Sequence, residues 1–421
     1  MDANAGGAAA GLSTTTAGLS GAGGGLSGLT DVVVGGGVVG LSVAWRLARA
    51  GRRVAVVDPR PARGASHAAA GMLAPISEVT YTEAPLLRLG MASLRRWPAF
   101  AAELAADAGL PATGPGVDLR AEGTLDVAFG ADDLAALDEL AAFMDKLGLP
   151  VERLTGRECR RLEPMLAPSV RGGLLAAGDA WVDPRRVTAA LLAALERLRV
   201  PLVRARATGL LREDDTGAEP PGAGRVVGVR LEEGAGPSEV RAGRVVLAAG
   251  AWSGGLAGVP VRPVKGQILR LRSPRPLLTR CVRGSVHGSS VYLVPRGDGE
   301  LVVGATQEEL GFDTRVTAGG LYELLRDARE LVPGVTELEL ADVVAGLRPG
   351  TPDNLPVIGP GGAPGLVLAT GHHRGGVLLA PLTAALVAGE SGGEEAAELD
   401  ALGALCSPAR FHESGGVQEI A

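Results

Sequence analysis

From Asp31 onward the chain alternates between short apolar runs and segments with helical spacing. Asp31-Val-Val-Val34 reads as a buried strand that runs straight into Gly35-Gly36-Gly37-Val38-Val39-Gly40. Within Leu41 to Ala50, the apolar Leu41, Ala44, Trp45, Leu47 and Ala48 recur at helical spacing, which predicts a helix burying one stripe. Gly51 stops it, and Arg53 to Val57 forms a second strand ending on Asp58. Further along, the spacing predicts a helix from Asp183 to Leu198 and a strand over Arg244 to Gly250 that enters Ala251-Trp-Ser253. Alternation from Val291 to Val303 predicts antiparallel strands, and Leu321 to Leu331 a helix covering them. Gly365 to Thr370 is another strand, followed by the loop Gly371 to Gly376 and an apolar helix from Val377 to Ala388.

Three stretches lack such order. Residues 1–30 are almost wholly Gly, Ala, Ser, Thr and Leu, and cannot bury enough apolar surface to offset their ordering entropy, so a disordered tail is expected. Residues 214–224 are polar and rich in Pro and Gly, as in a tolerated surface hairpin. Residues 390–421 read as a short mixed tail.

Composition narrows the function classes. With 46% hydrophobic and 21% charged residues the chain can build a sizeable core, which excludes disorder throughout. A net charge of -6, from 41 Lys+Arg against 47 Asp+Glu, offers no electrostatic case for nucleic acid or an anionic membrane. No apolar run reaches the roughly 20 residues of a membrane span. The first cation is Arg46, too late for the basic start of a signal peptide, so a soluble cytoplasmic protein is expected. Cys159, Cys281 and Cys406 are far apart and odd in number, and only His372 and His373 among five histidines are close. Neither a disulfide framework nor a metal site is indicated.

The first strand–turn–helix–strand unit carries chemistry. Gly35 permits a tight turn, Gly37 lets the backbone approach a pyrophosphate, and Gly40 allows close packing of helix on strand. The helix start adds unpaired N–H groups and the positive end of its dipole. Asp58 stands where a carboxylate accepts from ribose hydroxyls. In a chain with 64 glycines the GxGxxG spacing alone is weak, and its flanking strands and terminal acid are what point to a dinucleotide. NAD and FAD both satisfy that unit. The small-residue stretch Gly64 to Pro75 and the second strand–glycine loop–helix unit near the C-terminus favour FAD, a long cofactor held from both chain ends.

Five separated segments, GASHAAAGMLAP from Gly64, RPVKGQILRLR from Arg262, YLVPRGDGELVVGAT from Tyr292, AGLRPGTPDNLPVIGP from Ala345 and GHHRGGVLLAP from Gly371, resemble the FAD-dependent amine oxidases of the D-amino-acid oxidase superfamily. Among these the glycine oxidases of thiamine biosynthesis are most similar. The resemblance runs in order from Asp31 to Ala388. It implies an α/β fold, with a Rossmann-like FAD-binding domain and a discontinuous α+β substrate domain built on an antiparallel sheet. The FAD-binding domain is expected over 31–78, 151–260 and 344–389, and the substrate domain over 79–150 and 261–343.

The resemblance also implies roles. Val38, Val39, Asp58 and Pro59 would contact the adenosine half of FAD, and Ala65, Ser66, Ala70, Gly71 and Met72 would line its diphosphate and flavin. Ala207 would touch adenine through its backbone. His372, His373, Arg374, Gly375, Gly376, Val377 and Leu378 would form the loop beneath the isoalloxazine ring. Arg348 would pair with the substrate carboxylate beside the flavin, flanked by Tyr292, with Arg374 a second arginine near the site. An arginine fork suits the carboxylate of a zwitterion such as glycine better than a lysine would. Because hydride passes from Cα to the flavin, no protein acid or base is required once the amine is neutral.

The chain departs from its relatives at three places. Gln307 stands where some have Met, and Ser290 where one has His. Val344 to Leu347, just before the TPD segment, holds no Cys of the kind that attaches FAD covalently in sarcosine-oxidase-like relatives, so FAD is expected to be non-covalent. The implied partners are a small amino acid and O2, with neither nucleic acid nor membrane, and a homo-oligomer is left open. Two enzymatic alternatives are a D-amino-acid dehydrogenase passing electrons to a quinone and an NAD-dependent dehydrogenase. A non-catalytic FAD-binding scaffold is the alternative of another class.

Overall fold

The computed structural model describes residues 26–213, 224–234, 236–286, 288–389 and 394–411. The chain opens with β1 (Leu29–Val34), α1 (Val38–Arg49) and β2 (Val54–Val57), then α2 (Ala65–Ala68), β3 (Met72–Leu73) and the long α3 (Ala84–Ala108). Next come β4 (Thr124–Ala128), α4 (Ala131–Lys146), β5 (Glu152–Thr155), α5 (Gly156–Leu162), β6 (Gly172–Ala176), β7 (Ala180–Trp181) and α6 (Pro184–Arg197). The middle of the chain holds β8 (Leu202–Val203), β9 (Ala207–Arg212), β10 (Val226–Leu231), β11 (Glu239–Leu247), α7 (Ser253–Ala257) and β12 (Arg262–Arg272). It finishes with β13 (Cys281–Val286), β14 (Ser289–Pro295), β15 (Glu300–Gly304), α8 (Ala318–Leu331), β16 (Glu339–Gly350), β17 (Val357–Pro360), β18 (Leu366–Thr370), α9 (Ala380–Ala388) and α10 (Glu394–Leu405).

Two eight-stranded sheets organise these elements. In the first, β18, β11, β1, β2 and β8 run parallel, β17 adds an antiparallel edge, and β10 and β9 extend from β11. Its strands alternate by residue. Val33 and Val56 face the helices α1, α3, α6 and α9, while Val32, Val34 and Val57 face the layer that contains β10. The second sheet has the order β16-β12-β15-β14-β13-β4-β6-β5 and is antiparallel except between β4 and β13. One face, with Leu269, Val282, Leu293 and Val303, is covered by Leu324, Ala328 and Leu331 of α8. The other, with Ile268, Cys281, Val294 and Val302, meets Ala70 and Trp181 from the nucleotide side. A mixed α/β fold with a Rossmann-like parallel sheet and a second, antiparallel sheet is what the structure shows.

The boundaries differ from the sequence reading in several places. β1 begins at Leu29, so Leu29 and Thr30 belong to the fold, and residues 1–25 of the expected tail lie outside the described residues. Asp31 is wholly buried between Arg52 and Arg244, each 2.5 Å away. β5 and β6, read as part of the nucleotide block starting at Val151, join the second sheet, where β6 pairs with β4 and β5 with β6. Likewise Val344 to Gly350 belong to β16 and pair with β12 throughout. In the opposite sense α3, assigned to the substrate side, buries Leu89, Trp97, Phe100 and Leu104 in the nucleotide-side core. Phe100 meets Trp45 edge-on at 5.1 Å. Reading the chain as contiguous blocks fails here because strand pairing and a helix's apolar stripe choose partners across the molecule.

The C-terminal segment is also folded, over residues 394–411. Leu399, Leu402 and Cys406 are buried in the nucleotide-side core, and Glu398 pairs with Arg95 and Arg96. The expected surface hairpin at 214–224 lies, apart from Gly224, outside the described residues.

Candidate active site

The glycine turn between β1 and α1 is built as its spacing required. Gly35 has φ +115, a conformation that disfavours a side chain, and a Cβ there would overlap the Ala248 carbonyl. A Cβ on Gly40 would overlap the Gly35 carbonyl, so the helix could not approach the strand. Gly37 caps α1 without a side-chain hydrogen bond, and the N–H of Val38 donates to Ser66 Oγ at 2.9 Å. Val39 follows in the first turn, partly buried. Asp58 sits across the turn, accepting from the N–H of Gly36 (2.6 Å) and of Arg60 (2.7 Å), with Pro59 exposed beside it. Oriented backbone donors, a helix start free of its own capping side chain and a fixed carboxylate fit a dinucleotide pyrophosphate and ribose. Ala207 opens β9 and packs on the apolar cluster containing Val57.

Between β2 and β3 the small-residue stretch is clamped through its backbone. Arg185 donates to the His67 carbonyl at 3.1 Å and pairs with Asp342 at 2.6 Å. The buried Arg270 reaches the His67 and Ala69 carbonyls, and the buried Arg296 donates to the Ala70 carbonyl. Gly71, at φ +86, approaches the Val182 carbonyl so closely that a Cβ would overlap it. Ala65 opens α2, and Met72 touches the Cys281 thiol at 3.6 Å. Small residues here serve close backbone passage, held in place by one cation from α6, one from β12 and one just after β14.

On that sheet, register decides which side chains face the nucleotide side. Tyr292 is opposite Gly304, Gly304 opposite Ile268, and Gly266 opposite Gly346. Residues directly opposite one another share a face, and Arg348, two along from Gly346, shares it too. Three glycines make the room. A Cβ on Gly266 would overlap the Arg348 guanidinium, one on Gly304 the Tyr292 ring, and one on Gly346 would sit 2.8 Å from Ala68 Cβ. Arg348 lies across this hollow, half-buried, and its Nη1 donates to the Thr306 carbonyl at 3.2 Å and the Lys265 carbonyl at 3.4 Å. Burial pushes the Tyr292 phenol up to about 12 despite the neighbouring Arg348 cation, so it stands as a neutral donor.

The loop after β18 faces this sheet. His372 is buried, and its Nε2 lies 2.9 Å from Thr383 Oγ1. Thr383 donates its own proton to the Leu379 carbonyl, so His372 must carry hydrogen on Nε2. Burial drops the His372 pKa to about 3. Burial and the cations Arg374, Arg348 and Arg262 lower His373 to about 4. Gly375, Gly376 and Val377 continue the turn, and the Leu378 carbonyl accepts from Ser93 Oγ (2.6 Å) and Trp97 Nε1 (3.0 Å) of α3. Arg374, whose charge acts on His373 together with that of Arg348, makes no hydrogen bond to Tyr292. It is 38% exposed and pairs with Glu83 at 3.2 Å, on the wall of a cleft lined by Pro75, Glu78, Leu87 and Leu378. Nothing in the local sequence places Glu83 beside it.

The family model for FAD-dependent oxidoreductases named DAO matches residues 32–390. The chain belongs to that family. This FAD-dependent oxidoreductase is 35% identical to a glycine oxidase of Geobacillus kaustophilus, across 85% of this chain and 91% of the relative. It is 34% identical to the bifunctional protein ThiO/ThiG of a Nostoc species, and its matched region spans about half (52%) of that longer relative. A hydrogen cyanide synthase subunit, HcnC, of Pseudomonas aeruginosa is 32% identical over 85% of the chain. The crystal structure of the Geobacillus glycine oxidase superposes with a TM-score of 0.76 at 32% identity, covering 87% of this chain and 96% of that one. L-proline dehydrogenase from P. horikoshii shares the fold, with a TM-score of 0.72 at 20% identity.

Sequence reasoning missed the glycines Gly266, Gly304 and Gly346, and the α3 residues Ser93 and Trp97. The glycines were visible inside the family segments, but their purpose depends on cross-strand register. Ser93 and Trp97 lie some 280 residues from the carbonyl that they hold, and no local signal marks them.

Proposed function

We propose that this enzyme oxidises glycine and similarly small amines, such as sarcosine and small D-amino acids, with O2 as electron acceptor. For glycine the overall change is glycine + O2 + H2O → glyoxylate + NH3 + H2O2, with an imine preceding hydrolysis. The observation that carries this reading is the glycine-floored hollow that presents Arg348 beside neutral Tyr292. FAD, when bound, supplies a two-electron acceptor for the hydride leaving Cα. The protein's own share is binding and orientation.

In this reading the Arg348 fork grips the substrate carboxylate, and Tyr292 donates a hydrogen bond beside it. The pair thereby sets where Cα stands. The glycine turn, Ser66 and Asp58 hold the cofactor's ADP half, with Val38, Val39, Pro59 and Ala207 around the adenosine. Ala65, Ala70, Gly71, Met72 and the loop from His372 to Leu378 enclose its flavin end. FAD is held non-covalently, since Val344 to Leu347 offer no thiol. Delivery of the imine to the thiazole of thiamine is supported by the relatives named ThiO/ThiG. A cytoplasmic place fits such a role, and among the described residues no helix is long and apolar enough to cross a membrane.

Oxygen consumption and peroxide release by the purified holoenzyme test the proposal, with glycine, sarcosine and the D- and L-forms of alanine and proline as substrates. Peroxide formed from glycine is expected. Anaerobic bleaching of the flavin without oxygen uptake would replace the oxidase with a dehydrogenase that uses another acceptor. No bleaching with any of these amines would remove the assigned activity.

A further inference from the structure

Behind Arg348 lies a cluster of charged and polar groups that the reaction does not itself use. Lys265, on β12, is fully buried, and its ammonium group has the Glu308 carboxylate 3.1 Å away. Glu308 Oε1 also accepts from Thr306 Oγ1 (2.6 Å) and Gln267 Nε2 (2.7 Å). The backbones of Lys265 and Glu308 exchange two hydrogen bonds, of 2.9 and 3.0 Å, and the N–H of Gln267 donates to Thr306 Oγ1 at 2.9 Å. Partial burial pushes the Glu308 carboxyl up, but hydrogen bonds from Thr306 and Gln267 and the adjacent Lys265 ammonium outweigh it and hold it below its ordinary value. Gln267 further grips Thr317, accepting from its N–H at 2.9 Å and donating to its hydroxyl at 3.0 Å.

A buried cation is expensive unless it is paired. Lys265 is paired with Glu308 as an ion pair, though its Nζ makes no hydrogen bond among the described residues. The hydrogen bonds joining Glu308, Thr306 and Gln267 specify one arrangement. That arrangement is informative. Both carbonyls that receive Arg348 Nη1 belong to residues of the cluster, Thr306 and Lys265. The same side chains tie down both ends of the segment 306–317, which carries the exposed Gln307 between Thr306 and Glu308.

We infer that Lys265, Glu308, Gln267 and Thr306 form a positioning unit that sets the Arg348 guanidinium for the substrate carboxylate and fixes the segment carrying Gln307. This rests on the reading of Arg348 as the carboxylate anchor. None of the four touches the reacting atoms. Their contribution is to hold two carbonyls where the fork needs them, because a guanidinium free to turn loses its bidentate geometry.

The test compares three variants of the holoenzyme: the charge-neutral pair Lys265→Met with Glu308→Leu, Thr306→Val, and Arg348→Ala. Thr306→Val removes a hydroxyl with almost no change in volume, and so still reads out if the double variant fails to fold. Steady-state kinetics with glycine and titration with glycolate, followed by flavin absorbance, are the two readouts. In the double variant KM and the glycolate Kd are expected to rise about tenfold while kcat stays within about twofold, with a smaller rise of the same kind in Thr306→Val. If Arg348→Ala abolishes glycolate binding while both network variants keep wild-type KM and Kd, the positioning unit is overturned and the anchor stands. If Arg348→Ala itself binds glycolate normally, the anchor is overturned and the inference goes with it. A fall in kcat with unchanged KM would also overturn it, since that would place the cluster's effect on the chemical step.

Discussion

The two sheets build their parts of the site in different ways. On the parallel sheet the cradle is local: Gly35, Gly37, Gly40, Asp58 and Ser66 lie within 32 residues of one another. There the turn and the helix start are organised through backbone N–H groups, those of Gly36 and Val38 donating to Asp58 and Ser66. On the antiparallel sheet Gly266, Tyr292, Gly304, Gly346 and Arg348 come from four strands and more than eighty residues of chain. Their meeting is decided by register, and a slip of one residue would turn each of them to the α8 face. A cradle made of backbone can be written as a short motif. A hollow made of cross-strand neighbours cannot.

The sharpest way to break the first region is at Gly35. Gly35→Ala combines a strained φ with overlap onto the Ala248 carbonyl. A loss of about 3 kcal/mol or more in stability, with bound FAD largely absent, is expected. Thermal melting and the flavin-to-protein absorbance ratio check it. The equivalent break on the second region is Arg348→Ala, which leaves fold and FAD content intact. It should cost about 3 kcal/mol of carboxylate binding, roughly a hundredfold in kcat/KM for glycine. A normal KM in that variant would take the anchor role from Arg348.

Acid should act on the nucleotide side. His372 is buried and neutral, with a folded pKa of about 3 against an ordinary 6.5. A histidine depressed in the fold lets the unfolded chain bind more protons, so stability is lost as pH falls below about 6.5 and continues to fall towards the folded pKa. Between pH 7 and pH 5 the loss assignable to this residue is about 2 kcal/mol. Denaturant melts of the wild type and His372→Gln at both pH values check it, and an equal acid loss in the two would show that His372 does not contribute.

The smallest expected effect is also the most discriminating. Gly266→Ala adds one methyl group where the Arg348 guanidinium lies. If the hollow works as described, KM for glycine rises about tenfold while the melting temperature moves little, because the guanidinium can shift and β12 keeps its hydrogen bonds. An unchanged KM would show that the glycine floor is not needed for Arg348 to reach its ligand.

The sequence by itself determined the strand–turn–helix unit, the helices around Val187 and Leu324, the antiparallel strands near Tyr292, and the family through five ordered segments. These are legible because periodicity, turn glycines and contiguous motifs are local properties of a chain. Tertiary structure alone decided that β5 and β6 join the second sheet, that α3 and the segment 394–411 complete the nucleotide-side core, and that Arg374 pairs with Glu83. It also decided what Gly266, Gly304 and Gly346 are for. The physical reason is the same in each case: burial and cross-strand pairing reward contacts between residues far apart in sequence, and no periodicity along the chain records which partner a face will meet.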